Sequence, residues 1–229
     1  DPNTPHESIV AMAGALQPGC YLKPDPNTNH QSLVEMAGAL KPGCCLITDC
    51  AILQRSLIAM SHALQPGCYL QPHPDTNHQS LVEMALALPE KRCIITDHRI
   101  PRNTLVAISE ALQPGRCLMP LPEISQDDMV AMAGALKSGG YIRPHVHTSH
   151  DALVSIAQAL PAGRCLMTNS GIPCDSLVAL AGALQPGCCL IPVPGISRDT
   201  MVEMVDALKP GCYLQLHPST RPEDIVAMV

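Results

Sequence analysis

The chain has 229 residues, 46% of them apolar, and a formal net charge of −6 from 14 Lys and Arg against 20 Asp and Glu. The basic residues form no cluster, which argues against a nucleic-acid groove, because neutralising phosphates takes dense Lys and Arg. No apolar run reaches the roughly 18 residues that a membrane-spanning helix needs, and no signal peptide is visible. There is no Phe, no Trp and only four Tyr. Leu, Met, Val, Ile, Ala and Cys must therefore fill the core, with Met and free Cys acting as adaptable small hydrophobes.

An Ala-Leu pair returns every 24 residues, at Ala15-Leu16, Ala39-Leu40, Ala63-Leu64, Ala87-Leu88, Ala111-Leu112, Ala135-Leu136, Ala159-Leu160, Ala183-Leu184 and Ala207-Leu208. A fixed period of this size is the signature of a solenoid or array. Residues 1–229 are therefore expected to form a single repeat domain. Asp1-Pro2-Asn3-Thr4 matches Asp25-Pro26-Asn27-Thr28 in mid-repeat, and the chain stops inside a helical stretch at Val229. A fragment cut in mid-repeat at both ends is expected.

Each unit reads as helix, turn, strand and loop. Ser32…Glu35, Ser80…Glu83 and Thr200…Glu203 have capping-box spacing, which predicts N-caps at Ser32, Ser80 and Thr200. Asp127, Asp151, Asp175 and Asp199 suit a helix N-terminus. Leu33, Val34, Met36, Ala37 and Leu40 make one apolar helical face. Ala39 and its equivalents are Ala in every copy, so close approach of a neighbour is expected there. Pro-Gly pairs such as Pro42-Gly43 and Pro186-Gly187 end the helices. A short extended run follows, centred on Leu22, Leu46, Leu70, Ile94, Leu118, Ile142, Leu166, Leu190 and Leu214. Pro24, Pro72, Pro120, Pro144 and Pro192 then limit each strand to three or four residues.

One such unit cannot stand alone. Ordering each residue costs about 1–2 kcal/mol in backbone entropy. Five or six buried side chains return only about 1.5–3 kcal/mol each. Stacking closes the gap. Because helices alternate with strands, the strands must run parallel with right-handed crossovers.

The stretch Gly-Cys-Cys-Leu-Ile-Pro-Val-Pro-Gly-Ile-Ser-Arg-Asp-Thr-Met-Val-Glu-Met-Val-Asp-Ala-Leu at 187–208 resembles a leucine-rich repeat of the helix-containing, ribonuclease-inhibitor-like type. The resemblance extends over the whole chain. Two departures stand out: the second strand Leu of that family is mostly Pro or Thr here, and its loop-bonding Asn has no consistent equivalent. The resemblance implies an α/β, right-handed solenoid of about nine repeats, with a short parallel sheet on one face and helices on the other. It also implies a non-catalytic protein-interaction module without a cofactor.

The repeats are of two kinds. One carries Tyr before the central strand residue (Tyr21, Tyr69, Tyr141, Tyr213) and Thr six residues after it (Thr28, Thr76, Thr148, Thr220). The other carries Cys before it and Ile after it (Ile52, Ile100, Ile124, Ile172, Ile196). Side chains alternate along a strand. If the central Leu faces the helices, its neighbours face away. The partner-binding strip is then Tyr21, Lys23, Ile47, Tyr69, Gln71, Ile95, Met119, Tyr141, Arg143, Met167, Ile191, Tyr213 and Gln215. Tyr, Met and Arg are typical interface residues, and an exposed apolar strip marks a partner. The alternative is a structural protein that self-assembles into a homo-oligomer through open ends or the apolar strand face.

Candidate chemistry is thin. His145, His147 and His150 form the densest ligand-like group, but His145 shares its repeat position with His73, Asp25, Asp49 and Asp97. His150 shares one with His6, His30 and His78. No CxxC pair or HExxH is present, so no metal site is expected. Ser, His and Asp recur as repeat columns, whereas catalysis needs a single convergent site. No enzyme is expected. Ten of the twelve Cys recur in two columns, Cys50 and Cys174 apart, and the twelve read as reduced core or near-core thiols, which places the chain in the cytoplasm or another reducing compartment. Residues 29–37 and 77–85 are identical, which suggests recently expanded repeats in an effector-like protein delivered into a host cytosol.

Overall fold

The computed structural model describes residues 5–193 and 195–216. The expected mid-repeat ends, together with His217 and Thr220, lie outside the described residues. Two compact units are present, one ending at Leu118 and the other beginning at Met119.

The first unit contains helices α1 (His6–Ala15), α2 (His30–Ala39), α3 (Gln54–Ala63), α4 (His78–Ala87) and α5 (Arg102–Ala111). Strands β1 (Tyr21–Leu22), β2 (Cys45–Ile47), β3 (Tyr69–Gln71) and β4 (Cys93–Thr96) alternate with them, and β5 (Cys117–Pro120) spans the boundary. The second unit contains α6 (Gln126–Ala135), α7 (His150–Ala159), α8 (Cys174–Ala183) and α9 (Arg198–Ala207). Its strands are β6 (Tyr141–Ile142), β7 (Cys165–Met167), β8 (Cys189–Ile191) and β9 (Tyr213–Leu214). Within each unit successive strands pair in parallel at a shift of one repeat, as in Leu46↔Leu70 and Leu166↔Leu190. Each helix packs on the next in its unit. The α/β class and the parallel, alternating pattern match the expectation.

The helices begin earlier than the capping-box spacing predicts. Asn29 is the N-cap of α2, and its side-chain oxygen accepts the Ser32 amide at 2.9 Å. Asn77 does the same for Ser80, and Ser197 for Thr200. Ser32, Ser80 and Thr200 are thus buried third residues of their helices, not caps. The reason is reach. An extended Asn or Ser accepts the amide three residues on, so the Ser32 hydroxyl is left to face the neighbouring helix. The acidic residues Asp127, Asp151, Asp175 and Asp199 do lie in first turns.

The closely packed small residue also differs from the expectation. Ala39 is half-buried, whereas Ala13, Ala37, Ala85, Ala133, Ala157 and Ala181 are fully buried. The apolar stripe Leu33, Met36, Ala37 and Leu40 centres on that column, and Ala39 lies off it. Ser61 and Ser109 occupy the same column and return their hydroxyls to the carbonyls of Leu57 and Leu105.

After each helix the chain turns through one residue of positive φ. Gly43 (φ 86°) and Gly67 (φ 79°) are typical, and Lys91 (φ 61°) fills the same place between Gly67 and Gly115. The turns form their own backbone ladder: Gly43 N–H donates to Gly67 O at 2.8 Å, and Lys91 N–H to Gly115 O at 2.7 Å. The strand centres Leu46, Leu70, Ile94, Leu118, Ile142, Leu166 and Leu190 are fully buried. Thr48 and Thr168, next but one after the centre, accept loop amides of the following repeat, from His73 and Val193. Among the described residues no helix is long and apolar enough to cross a membrane.

Candidate functional site

In β2, β3 and β4 burial alternates about the strand centre, as period-2 geometry requires, whereas Cys117 and Cys165 are buried beside their centres and β8 is buried throughout. In the first unit, Tyr21 and Lys23 are exposed, and Ile47, Tyr69, Gln71 and Ile95 are partly exposed. These outward residues lie on neighbouring strands, with Cys45 beside Tyr69 and Ile47 beside Gln71. Lys23 lies 3.8 Å from Asp49 one repeat on. Cys45 sits in this row, and burial pushes its thiol up to about 12, aided by the nearby Cys44 and Cys68.

In the second unit, Met119, Tyr141, Arg143 and Met167 are partly exposed, and Tyr213 and Gln215 are exposed. Arg143 Nε donates to Asn169 Oδ1 at 2.6 Å, so this guanidinium is tied down. Ile191 departs from the expectation of an exposed strip. It is 9% exposed and packs in a cluster with Cys165, Cys189, Tyr141 and Met167. The outward face closes on itself there because Cys and Ile are short enough for their neighbours to cover.

The first Cys column has a bonding role that the sequence reading did not give it. Cys44, Cys68, Cys188 and Cys212 each donate a thiol hydrogen, at 3.2 Å, to a carbonyl just past the helix end of the preceding repeat. Arg92 and Arg164 fill the same column, and their Nε atoms reach Leu64 O and Leu136 O. The Arg side chains satisfy C-cap carbonyls, which lack an intrahelical partner, whereas the Gln17, Lys41 and Gln185 carbonyls that the thiols reach also accept the amides of Cys20, Cys44 and Cys188. All twelve cysteines are free; Cys20, Cys50 and Cys174 are exposed.

His145 and His150 belong to two different structural columns. His145 Nδ1 accepts the His147 amide at 3.3 Å, as His73 accepts from Asp75 and Asp49 from Ala51. Burial and the neighbouring His147 push the His145 ring below its ordinary value. His150 instead contacts the Ser176 hydroxyl at 3.0 Å. The structure therefore pairs His145 with His147 and sends His150 elsewhere. Among the described residues, no three or more His, Cys, Asp or Glu are grouped to hold a metal ion.

His150 belongs to a ladder. His6–Ser32, His30–Ser56 and His78–Thr104 make the same contact at 2.6–2.9 Å. The signal was in the sequence, since these His precede a hydroxyl by 26 residues. His6 also reaches Glu35 at 2.8 Å, composing a serine, histidine and carboxylate. Ser32 is only 1% exposed, and its contact to His recurs in other repeats. The group ties one helix to the next. A cavity of about 310 Å³ lies between the loops after β7 and β8, lined by Asn169, Ile172, Cys174, Leu177, Val193 and Ser197. No charged side chain lines it.

No protein-family model and no curated protein matches the chain. Among solved structures it is similar to a protein described as a lyase/mutase from Burkholderia cenocepacia J2315, with 14% identity over 91% of this chain and 80% of that one, and a TM-score of 0.31. It is also similar to one described as a deoxyribose-phosphate aldolase from Coccidioides immitis, with 9% identity over 93% of this chain and 95% of that one, and a TM-score of 0.32. Likeness at this level carries no argument about this chain.

Proposed function

We propose that the chain is a right-handed solenoid of the leucine-rich-repeat kind and works as a non-catalytic protein-interaction module. The observation that carries this reading is the outward row of the first unit. Tyr21 is 66% exposed, and Ile47, Tyr69 and Ile95 remain partly exposed on strands whose centres are fully buried. Tyr and Ile left open in a row, beside Lys23 and Gln71, offer an apolar surface with a polar border, the composition of interface cores and rims. The partner is a polypeptide that presents apolar side chains to this row. The helix contacts between His and Ser or Thr serve cohesion between repeats and leave the strand face for binding.

Affinity capture from a cell lysate tests the reading, using the wild-type chain and Ile47→Asp/Ile95→Asp after both are shown to fold by circular dichroism. A partner held by the wild type and lost by the variant is expected. Equal capture by both would overturn the assignment of the strand face.

A further inference from the structure

The second unit carries a sulfur cluster among the strip residues Tyr141, Met167 and Ile191. Cys165 of β7 and Cys189 of β8 are direct cross-strand partners on the same face. Both are buried, at 7% and 0% exposure. Met167 follows Cys165 by two residues, so it shares that face, and it packs against the pair with Tyr141 and Ile191. The interaction between the paired thiols holds Cys165 below its ordinary value and, together with burial, pushes Cys189 up. The Cys189 thiol also lies 3.8 Å from Gln215 Oε1 and interacts with Tyr213.

Spacing decides what such a pair can do. Neighbouring strands lie about 4.8 Å apart. A disulfide must draw its sulfurs to about 2.05 Å with a near-perpendicular dihedral, which parallel side chains on adjacent rungs do not favour. A cation bridging two thiolates at about 2.3 Å per bond spans roughly 4.6 Å, close to the strand spacing. Zinc asks for four ligands, and the cluster offers two thiols and one thioether. Thiolate and thioether sulfurs select soft cations such as Cu(I).

We propose that Cys165 and Cys189, with the Met167 thioether alongside, bind one monovalent soft cation, Cu(I) or its analogue Ag(I). Binding replaces two thiol protons, which leave to solvent, and forms two sulfur–metal bonds without change of oxidation state. The resulting site carries one negative charge. Gln215, whose carboxamide oxygen now faces the Cys189 thiol, turns its N–H toward the thiolate, since an amide presents either end. Tyr213 supplies a second donor.

The test uses the full chain carrying Cys20→Ser, Cys50→Ser and Cys174→Ser, which removes the exposed thiols. It is titrated anaerobically with Cu(I) against the chromogenic chelator bicinchoninate. One equivalent withheld from the chelator is expected. Cys165→Ala/Cys189→Ala in that background should lose it, whereas Cys44→Ala/Cys68→Ala should keep it. Met167→Leu, which preserves volume, should fold and weaken Cu(I) binding about tenfold. X-ray absorption of the loaded parent chain should show three sulfur neighbours. The proposal is overturned if no copper is withheld, if Met167→Leu binds as tightly as its parent, or if the neighbours are nitrogen or oxygen alone.

Discussion

The Nδ1 atom of His30 lies 2.9 Å from the Ser56 hydroxyl, one repeat further along the chain. Each such pair joins the first residue of one helix to the third of the next. At α3 the first residue is Gln54, which reaches Glu83 instead, and the buried Ser80 hydroxyl has no partner. His6 shows that one imidazole can touch both a Ser and a Glu of the next helix. Gln54→His should therefore give Ser80 its partner without losing Glu83. A net hydrogen bond contributes about 0.5–1.5 kcal/mol, so urea denaturation should show the variant more stable by that amount.

Lys91 occupies a turn position that is Gly in the flanking repeats, at φ 61°. A side chain in the left-handed region costs about 1–2 kcal/mol, and Gly removes that cost while losing some unfolded-state entropy. Lys91→Gly should raise stability by about 1 kcal/mol. The reverse change, Gly67→Lys, should lower it by a similar amount. Thermal melts of the two variants measure both.

Thr76 and Thr148 fill a slot that Ile52, Ile100, Ile124 and Ile172 fill elsewhere, and their hydroxyls have no partner. A buried, unsatisfied polar group costs about 1–3 kcal/mol. Thr76→Val keeps the shape and removes the hydroxyl, so it should stabilise by about 1 kcal/mol in chemical denaturation. Thr48→Val should destabilise, because the Thr48 hydroxyl accepts the His73 amide.

Asp97 is 7% exposed and accepts the Arg99 amide at 2.9 Å, Nε at 3.1 Å and Nη2 at 3.0 Å. The Arg99 side-chain hydrogen bonds hold its carboxyl below the ordinary 3.8 against the opposing effect of burial. A depressed carboxyl stabilises the fold above its unfolded value and loses that contribution as pH falls through its folded value. Asp97→Asn should be less stable than wild type at pH 7. The gap should narrow as pH drops below about 4, measured as urea midpoints across that range.

The repeat period, the helix–strand alternation and the inward strand centres were legible because each rests on a local pattern. Leu70 is buried for the reason its column predicts. The N-caps were misplaced because Ser-x-x-Glu spacing is satisfied by residues whose real partners lie a repeat away, as Ser32 and Glu35 do with His6. The small-residue column was misplaced because invariance at Ala39 drew attention from the buried Ala37. Ile191 was read as open because strand alternation gives facing, whereas cover depends on the neighbouring Cys165, Cys189 and Met167. The histidine ladder needed a comparison of residues 26 apart, which a pass within each repeat does not make.

The most direct test of the strand-face account is site-specific photo-crosslinking. A benzophenone amino acid replaces Tyr69 on the outward strand row of one sample and Leu86, a 46% exposed helix residue, of another. Both are irradiated in lysate and read by mass spectrometry. The account predicts a discrete protein adduct from position 69 that is absent from position 86. An adduct from position 86 alone would contradict it and move the partner to the helices.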